Sequence, residues 1–300
     1  MYIYLPIAEL SLNLYALIGL GGLAGLLAGM FGIGGGFLLT PILMFMGVPA
    51  PVAVATSANQ IIASSLSGFL SHRRHQRVDF TMGNVLVSGG FIGAILGITL
   101  FRKMQKLGQA DLMVNLLYIC FLSIVGALML RDAWRTHRQG NEPVTQLHLE
   151  WAKRLPLQLH FKRSDVTHSL FLPMAIGVLT GLLVAVIGIG GGFIMLPAMI
   201  YLLHMPNNLT VGTSLYHIML TTIFATLLHA TTTHTVDVVL ASLLVIGSVV
   251  GAHYGARISQ KLPTYKLRAL LALMLVFLAL RLAYGLFITP NDLLTLDIRP

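Results

Sequence analysis

GIGGGF stands at Gly32–Phe37 and again at Gly188–Phe193, and the reading of these two stretches decides the fold. Glycine destabilises a helix by about 1 kcal/mol relative to alanine, yet each copy places four glycines in the middle of an apolar run. Those runs, 14–47 and 170–203, are 34 residues each. As one helix, either would measure about 51 Å at 1.5 Å per residue. That is too long for one crossing of a hydrocarbon core about 30 Å thick and too short for two. Pro41 and Pro197 follow at matched positions. The spacing predicts a helix, a break and a second helix in each run.

The surrounding composition sets the solvent. The chain has 300 residues, 56% hydrophobic and 10% charged, with mean hydropathy +0.83. Soluble domains carry about 25% charged residues, so this is a membrane protein. Further spans are expected at about 53–71, 80–101, 112–130, 211–229, 236–256 and 268–288. The net charge of +9 resides largely in short loops between spans, which is an orientation signal rather than a nucleic-acid footprint. Cys120 is the single cysteine, which excludes an internal disulfide and a cysteine metal cluster. The opening MYIYLPIAELSLN lacks a basic n-region, so the first apolar segment is expected to be retained.

The two halves repeat. Beyond GIGGGF and the prolines, VATS (54–57) aligns with VGTS (211–214), His72 with His229 and Val78-Asp79 with Val236-Asp237. Gly89/Gly93/Gly97 likewise align with Gly247/Gly251/Gly255, with a drift of two residues in register. HRRHQR (72–77) is basic whereas its mate HATTTHT (229–235) has no Lys or Arg, and 131–168 and 257–268 are basic. With the basic loops cytoplasmic, the halves are opposed in orientation and both termini fall outside; RKMQKLGQAD (102–111) is a basic loop on the outer side. The expected fold is an all-α polytopic membrane protein of two inverted repeats. Each repeat comprises a broken Gly-rich helical hairpin and three transmembrane helices. The expected division is a first repeat at 1–130, a cytoplasmic basic linker at 131–168 and a second repeat at 169–300. Period-two alternation at 147–151 and 157–161 suggests a small hairpin in the linker; with Trp151 and its basic residues the linker could instead rest on anionic headgroups.

GxGGG here is no nucleotide loop, because Lys-Ser/Thr does not follow and no soluble strand precedes it. The spaced glycines Gly21/Gly25/Gly29 and Gly89/Gly93/Gly97 read as helix-packing positions. The triple glycines, Gly34, Gly35, Gly36 and Gly190, Gly191, Gly192, free the backbone from helical dihedrals. They expose a helix start that attracts anions, and paired broken helices at mid-membrane are a recurrent transporter site. The following helices supply Thr56, Ser57, Asn59 and Gln60, and in the second copy Thr213, Ser214, Tyr216 and His217. Uncharged polar groups inside a span are costly unless paired. They read either as helix–helix hydrogen bonds or as the lining of a shared pocket. His217 is the main candidate for proton coupling; His72 and His229 end matched helices and read as interface or capping residues, with proton coupling as the alternative. Asp79 and Asp237 read as N-caps. Arg281 reads as a snorkelling residue outside the site.

With these residues assembled, the chain resembles the TauE/SafE family of sulfite and organosulfur-anion exporters over nearly its whole length. The resemblance rests on the paired G-x-G-G-G-F-x-x-x-P, VATS/VGTS, the terminal histidines and the VD pairs. It implies a multi-pass permease of the bacterial plasma membrane whose cargo is a small anion such as sulfite, sulfoacetate or a related sulfonate. The family often has Phe-Gln after GTSL; this chain has Tyr216-His217. The expected function is outward secondary transport by alternating access around the two glycine breaks. The expected partners are a small anion and the lipid bilayer, without nucleic acid, cofactor or resident metal. The alternative is a transition-metal or other small-solute permease using the 11 histidines and 14 methionines, although most of these are scattered rather than clustered as ligands usually are. An intramembrane hydrolase lacks support, since no buried aspartate pair or Ser–His dyad with a nucleophile turn is evident.

Overall fold

A computed structural model describes residues 2–31, 35–139, 157–161, 163–259 and 264–287. Ten helices and two small hairpins are present among them. The first half comprises β1 (Tyr2–Leu5), β2 (Leu10–Asn13), α1 (Leu14–Phe31), α2 (Gly36–Phe45), α3 (Ala50–Arg74), α4 (Phe80–Lys106) and α5 (Ala110–Gln139). The second comprises β3 (Gln158–Phe161), β4 (Val166–Ser169), α6 (Phe171–Ile187), α7 (Gly192–Pro197), α8 (Asn207–Thr232), α9 (Val238–Ser259) and α10 (Thr264–Phe287). Both 34-residue runs are therefore broken where the glycines stand. After α7, which ends at Pro197, the chain continues as a π-turn over Ala198–Leu202, a widening that fits the missing proline N–H.

Among the described residues, four helices are long and apolar enough to cross a membrane: Phe80–Lys106, Ala110–Arg131, Asn208–Thr232 and Val238–Gly255. Shorter apolar helices cover Leu14–Met30, Gly36–Phe45, Phe171–Ile187 and Leu270–Leu286. Helix α3 has the length, 25 residues, but carries Thr56, Ser57, Asn59, Gln60 and several serines along its path, so its mean hydropathy stays low.

The duplication extends to elements that the residue pattern did not announce. β1 pairs antiparallel with β2, and β3 with β4; mates in the two hairpins are 156 residues apart, as the glycine motifs are. Even the positive-φ turn residues match, Glu9 at 54° and Asp165 at 51°. The alternating stretch 157–161 does form a strand, paired with 166–169; its expected partner 147–151 lies outside the described residues.

The halves interlock rather than sit side by side. A methyl on Gly21, Gly25 or Gly29 of α1 would overlap the backbone of Leu244, Ser248 or Ala252 of α9. Gly89, Gly93 and Gly97 of α4 stand likewise against Met174, Val178 and Leu182 of α6. The residue numbers rise together, so both pairs run parallel, each joining one half to the other. The spaced glycines thus permit backbone-to-backbone approach. Between these pairs, α3 crosses α8 with Gly68 against Leu215 and His72 against Gly212. Here one number rises as the other falls, so these related helices are antiparallel. The largest apolar cluster joins Phe37 and Leu38 after the first break, Ile187 and Ile189 at the second, and Tyr118 from α5.

Candidate functional site at the meeting of the two glycine breaks

Gly35 and Gly191 precede α2 and α7 with nearly identical left-handed dihedrals, φ 71° and ψ −8° against φ 68° and ψ −9°. An L-residue pays about 1–2 kcal/mol to enter this region, which accounts for glycine at both. Neither helix start has a side-chain cap. The breaks also touch one another. A methyl on Gly36 would lie 2.7 Å from the Gly188 carbonyl oxygen, and Ile61 of α3 packs against both Gly36 and Gly190. Gly34 lies outside the described residues.

Matched polar residues converge next to this contact. Gln60 and His217 occupy equivalent positions and are fully buried. The Gln60 amide nitrogen donates to Ser248 Oγ of α9 at 2.8 Å. The residue equivalent to Ser248 is Gly90 of α4, and there the His217 ring takes the vacated space: a methyl on Gly90 would lie 2.8 Å from Nε2. That nitrogen shares a 3.2 Å hydrogen bond with Thr221. Gln60 Oε1 and His217 Nδ1 are both buried without a hydrogen-bond partner. Ser57 Oγ donates to the Val54 carbonyl and shares a 2.7 Å bond with Thr40 of α2, tying the helix after the first break to α3. Ser214 Oγ donates to Val211.

Other expected residues have different engagements. Thr56 Oγ1 accepts from the Asp237 N–H at 3.1 Å and Thr213 Oγ1 from the Asp79 N–H at 2.9 Å; these threonines lock the repeats together. Asp79 and Asp237 are N-caps, accepting from the N–H of Met82 and Leu240. Asn59 is half-buried, its amide 3.4 Å from the Thr56 carbonyl of its own helix. Tyr216 donates to exposed Asn84 and stacks near Phe69 and Phe80. His229 contacts the Ala185 carbonyl through Nε2 and Thr233 through Nδ1. His72 packs its Cβ on Gly212 and has a buried Nδ1 without a partner.

Two participants escaped the sequence reading. Tyr118 is fully buried and donates to the Ile187 carbonyl at 2.8 Å, one residue before the second break; Thr40 stands one residue before Pro41 and bridges to Ser57. Among the described residues, no three His, Cys, Asp or Glu side chains gather as a metal site.

The family described as Sulfite exporter TauE/SafE matches residues 17–282, which takes in both glycine breaks and every residue above. The chain belongs to the TauE/SafE family. This TauE/SafE protein is a multi-pass membrane transporter. A Bacillus subtilis protein named "probable membrane transporter protein YunE" is 28% identical over 280 residues, covering 90% of this chain and 98% of the relative. A Xylella fastidiosa "probable membrane transporter protein" is 29% identical over 257 residues, 85% of this chain and 88% of its own. An Arabidopsis thaliana "sulfite exporter TauE/SafE family protein 5" is 31% identical over 127 residues, 40% of this chain and 28% of its own. No solved structure matches.

Proposed function

We propose that this TauE/SafE protein exports a small oxyanion, sulfite or an organosulfonate, across a bacterial plasma membrane, the anion binding where the two glycine breaks meet. The observation that carries the reading is the juxtaposition of Gly36 with Gly188 beside two matched, fully buried polar side chains, Gln60 and His217. Two helix starts supply positive partial charge, one of 10 residues and one continued by the π-turn. The buried carboxylates among the described residues, Asp79 and Asp237, are engaged as caps and do not oppose an anion. Gln60 would offer the second N–H of the amide nitrogen that binds Ser248 and His217 a ring N–H, so the two repeats present different groups to one ligand. Of the expected lining residues, Gly35, Gly36, Gly190, Gly191, Gly192, Ser57, Ser214, Gln60 and His217 form this centre. Thr56, Thr213, Asn59 and Tyr216 hold it together or lie at its margin.

Alternating access follows from one repeat rocking on the other. The repeats are read as inverted. An axis in the membrane plane reverses related helices, in keeping with antiparallel α3 and α8 and with the basic stretches 72–77, 131–168 and 257–268 on one side, 102–111 being the exception. His217 is the proton-coupling candidate, since a titratable ring at the ligand can link proton and anion movement. The test is flux of sulfite, sulfoacetate and taurine in proteoliposomes with and without a pH gradient. Transport of at least one anion is expected, weakened by Gln60→Leu and losing its gradient dependence in His217→Gln. Absence of flux for every small anion in otherwise competent vesicles overturns the reading.

A further inference from the structure

Most buried hydroxyls of α3 and α8 bond back to their own helix: Ser57 to Val54, Ser64 to Ile61, Thr213 to Leu209 and Ser214 to Val211. Ser65, Thr222 and Thr226 do not, and of these Thr226 has Phe69 as its counterpart in α3, so only Ser65 and Thr222 form a matched pair among the described residues. Both are fully buried, and neither hydroxyl has a partner. They are also mates, 157 residues apart as Thr56 and Thr213 are. Ser65 belongs to the stripe Ile61, Ser65, Gly68, His72, and Thr222 to the stripe Ile218, Thr222, Ala225, His229. Gly68 and His72 of the first stripe meet α8 directly. The antiparallel pairing brings α3 and α8 level near Ala63 and Leu220, two residues from each hydroxyl. One turn before Ser65, Ile61 touches both glycine breaks.

We propose that Ser65 and Thr222 are a matched pair of hydroxyl donors that bind oxygen atoms of the transported anion at the crossing of α3 and α8. The proposal rests on the reading of the protein as an oxyanion transporter and adds two residues that its motifs do not mark. Buried hydroxyls are nearly always hydrogen-bonded, and leaving one unpartnered is unfavourable. Two at symmetry-related positions, beside the breaks, are what a site for a ligand with at least two oxygens would require. Because each repeat contributes one, rocking of the repeats changes the separation of the donors and hence the grip on the anion.

The test pairs function with stability. Ser65→Ala, Thr222→Val and the double variant are reconstituted for sulfite flux and melted in detergent beside the wild type. If the hydroxyls bind the anion, KM for sulfite rises about tenfold or more per residue, the loss of one hydrogen bond to a charged group. The melting temperature without anion stays level or rises, because an unpartnered hydroxyl has been removed. Thr222→Ser, which keeps the donor, retains wild-type KM. Wild-type flux with unchanged KM in the double variant overturns the proposal alone, as does a fall in melting temperature that accounts for the lost flux. A wild type that moves no sulfite, sulfoacetate or taurine overturns the functional reading and this proposal with it.

Discussion

Asp79 and Asp237 start their helices and also receive the hairpin of the opposite half. Ser164 in the β3–β4 turn donates to Asp79 at 2.5 Å, and the N–H groups of Ile7 and Ala8 in the β1–β2 turn donate to Asp237 at 3.0 and 3.4 Å. Asp237→Ala removes the cap and leaves those donors unmatched, so it is expected to cost about 2–3 kcal/mol, read as a lowered melting temperature in detergent. His168 on β4 gives a pH-dependent counterpart. Its Nε2 lies 2.9 Å from the Leu203 carbonyl and its ring stacks on His204. Burial is the main cause that holds its pKa below the usual histidine value; the Leu203 carbonyl raises it and His204 lowers it. The folded state therefore favours neutral His168. Its contribution to stability is complete above about pH 6.5 and falls as pH drops from there toward the lower folded pKa. Melting at pH 7.5 and pH 5.5 is expected to show a smaller decline for His168→Gln than for the wild type.

At the scale of elements, the parallel pairs α1–α9 and α4–α6 depend on glycine for contact. Gly25 faces the carbonyl of Ser248 and Gly93 that of Val178. Gly93→Leu forces α4 off α6 and is expected to destabilise by about 3 kcal/mol or more, whereas Gly19→Leu, with nothing within 4 Å of its position, is expected to be tolerated; thermal unfolding distinguishes them. These helices were legible because apolar length and glycine spacing are strong signals, and the breaks because consecutive glycines have no use in a packing ridge. Of the hairpins only the strand at 157–161 was legible, from its alternation; its partner 166–169 and the β1–β2 hairpin were not, since four-residue strands barely let a period register. Site legibility followed the same physics. Gln60 and His217 stood out as polar groups in a span, but Tyr118 and Thr40 looked like isolated filler in apolar runs. Thr56 and Thr213 sit beside Ser57 and Ser214 in sequence while their hydroxyls bind the opposite repeat's helix starts.

Across the whole molecule, the exchange of elements between the halves means that neither half completes the candidate site alone: Gln60 meets Ser248, and His217 fits against Gly90. Inversion makes a distinct prediction for orientation. In a Cys120→Ser background, cysteines at His75 and His204 are expected to react only from the cytoplasmic side, and those at Gly47, Gly108 and His234 only from outside. Reaction of positions 75 and 234 from the same side contradicts inversion. The central claim is that the anion sits where the breaks meet. It is tested most directly by locating selenite, the heavier congener of sulfite, by anomalous scattering in crystals of the transport-active protein. The account predicts a selenium peak beside the two glycine breaks, within hydrogen-bonding reach of Gln60 and His217; a protein that carries sulfite yet binds selenite only elsewhere contradicts it.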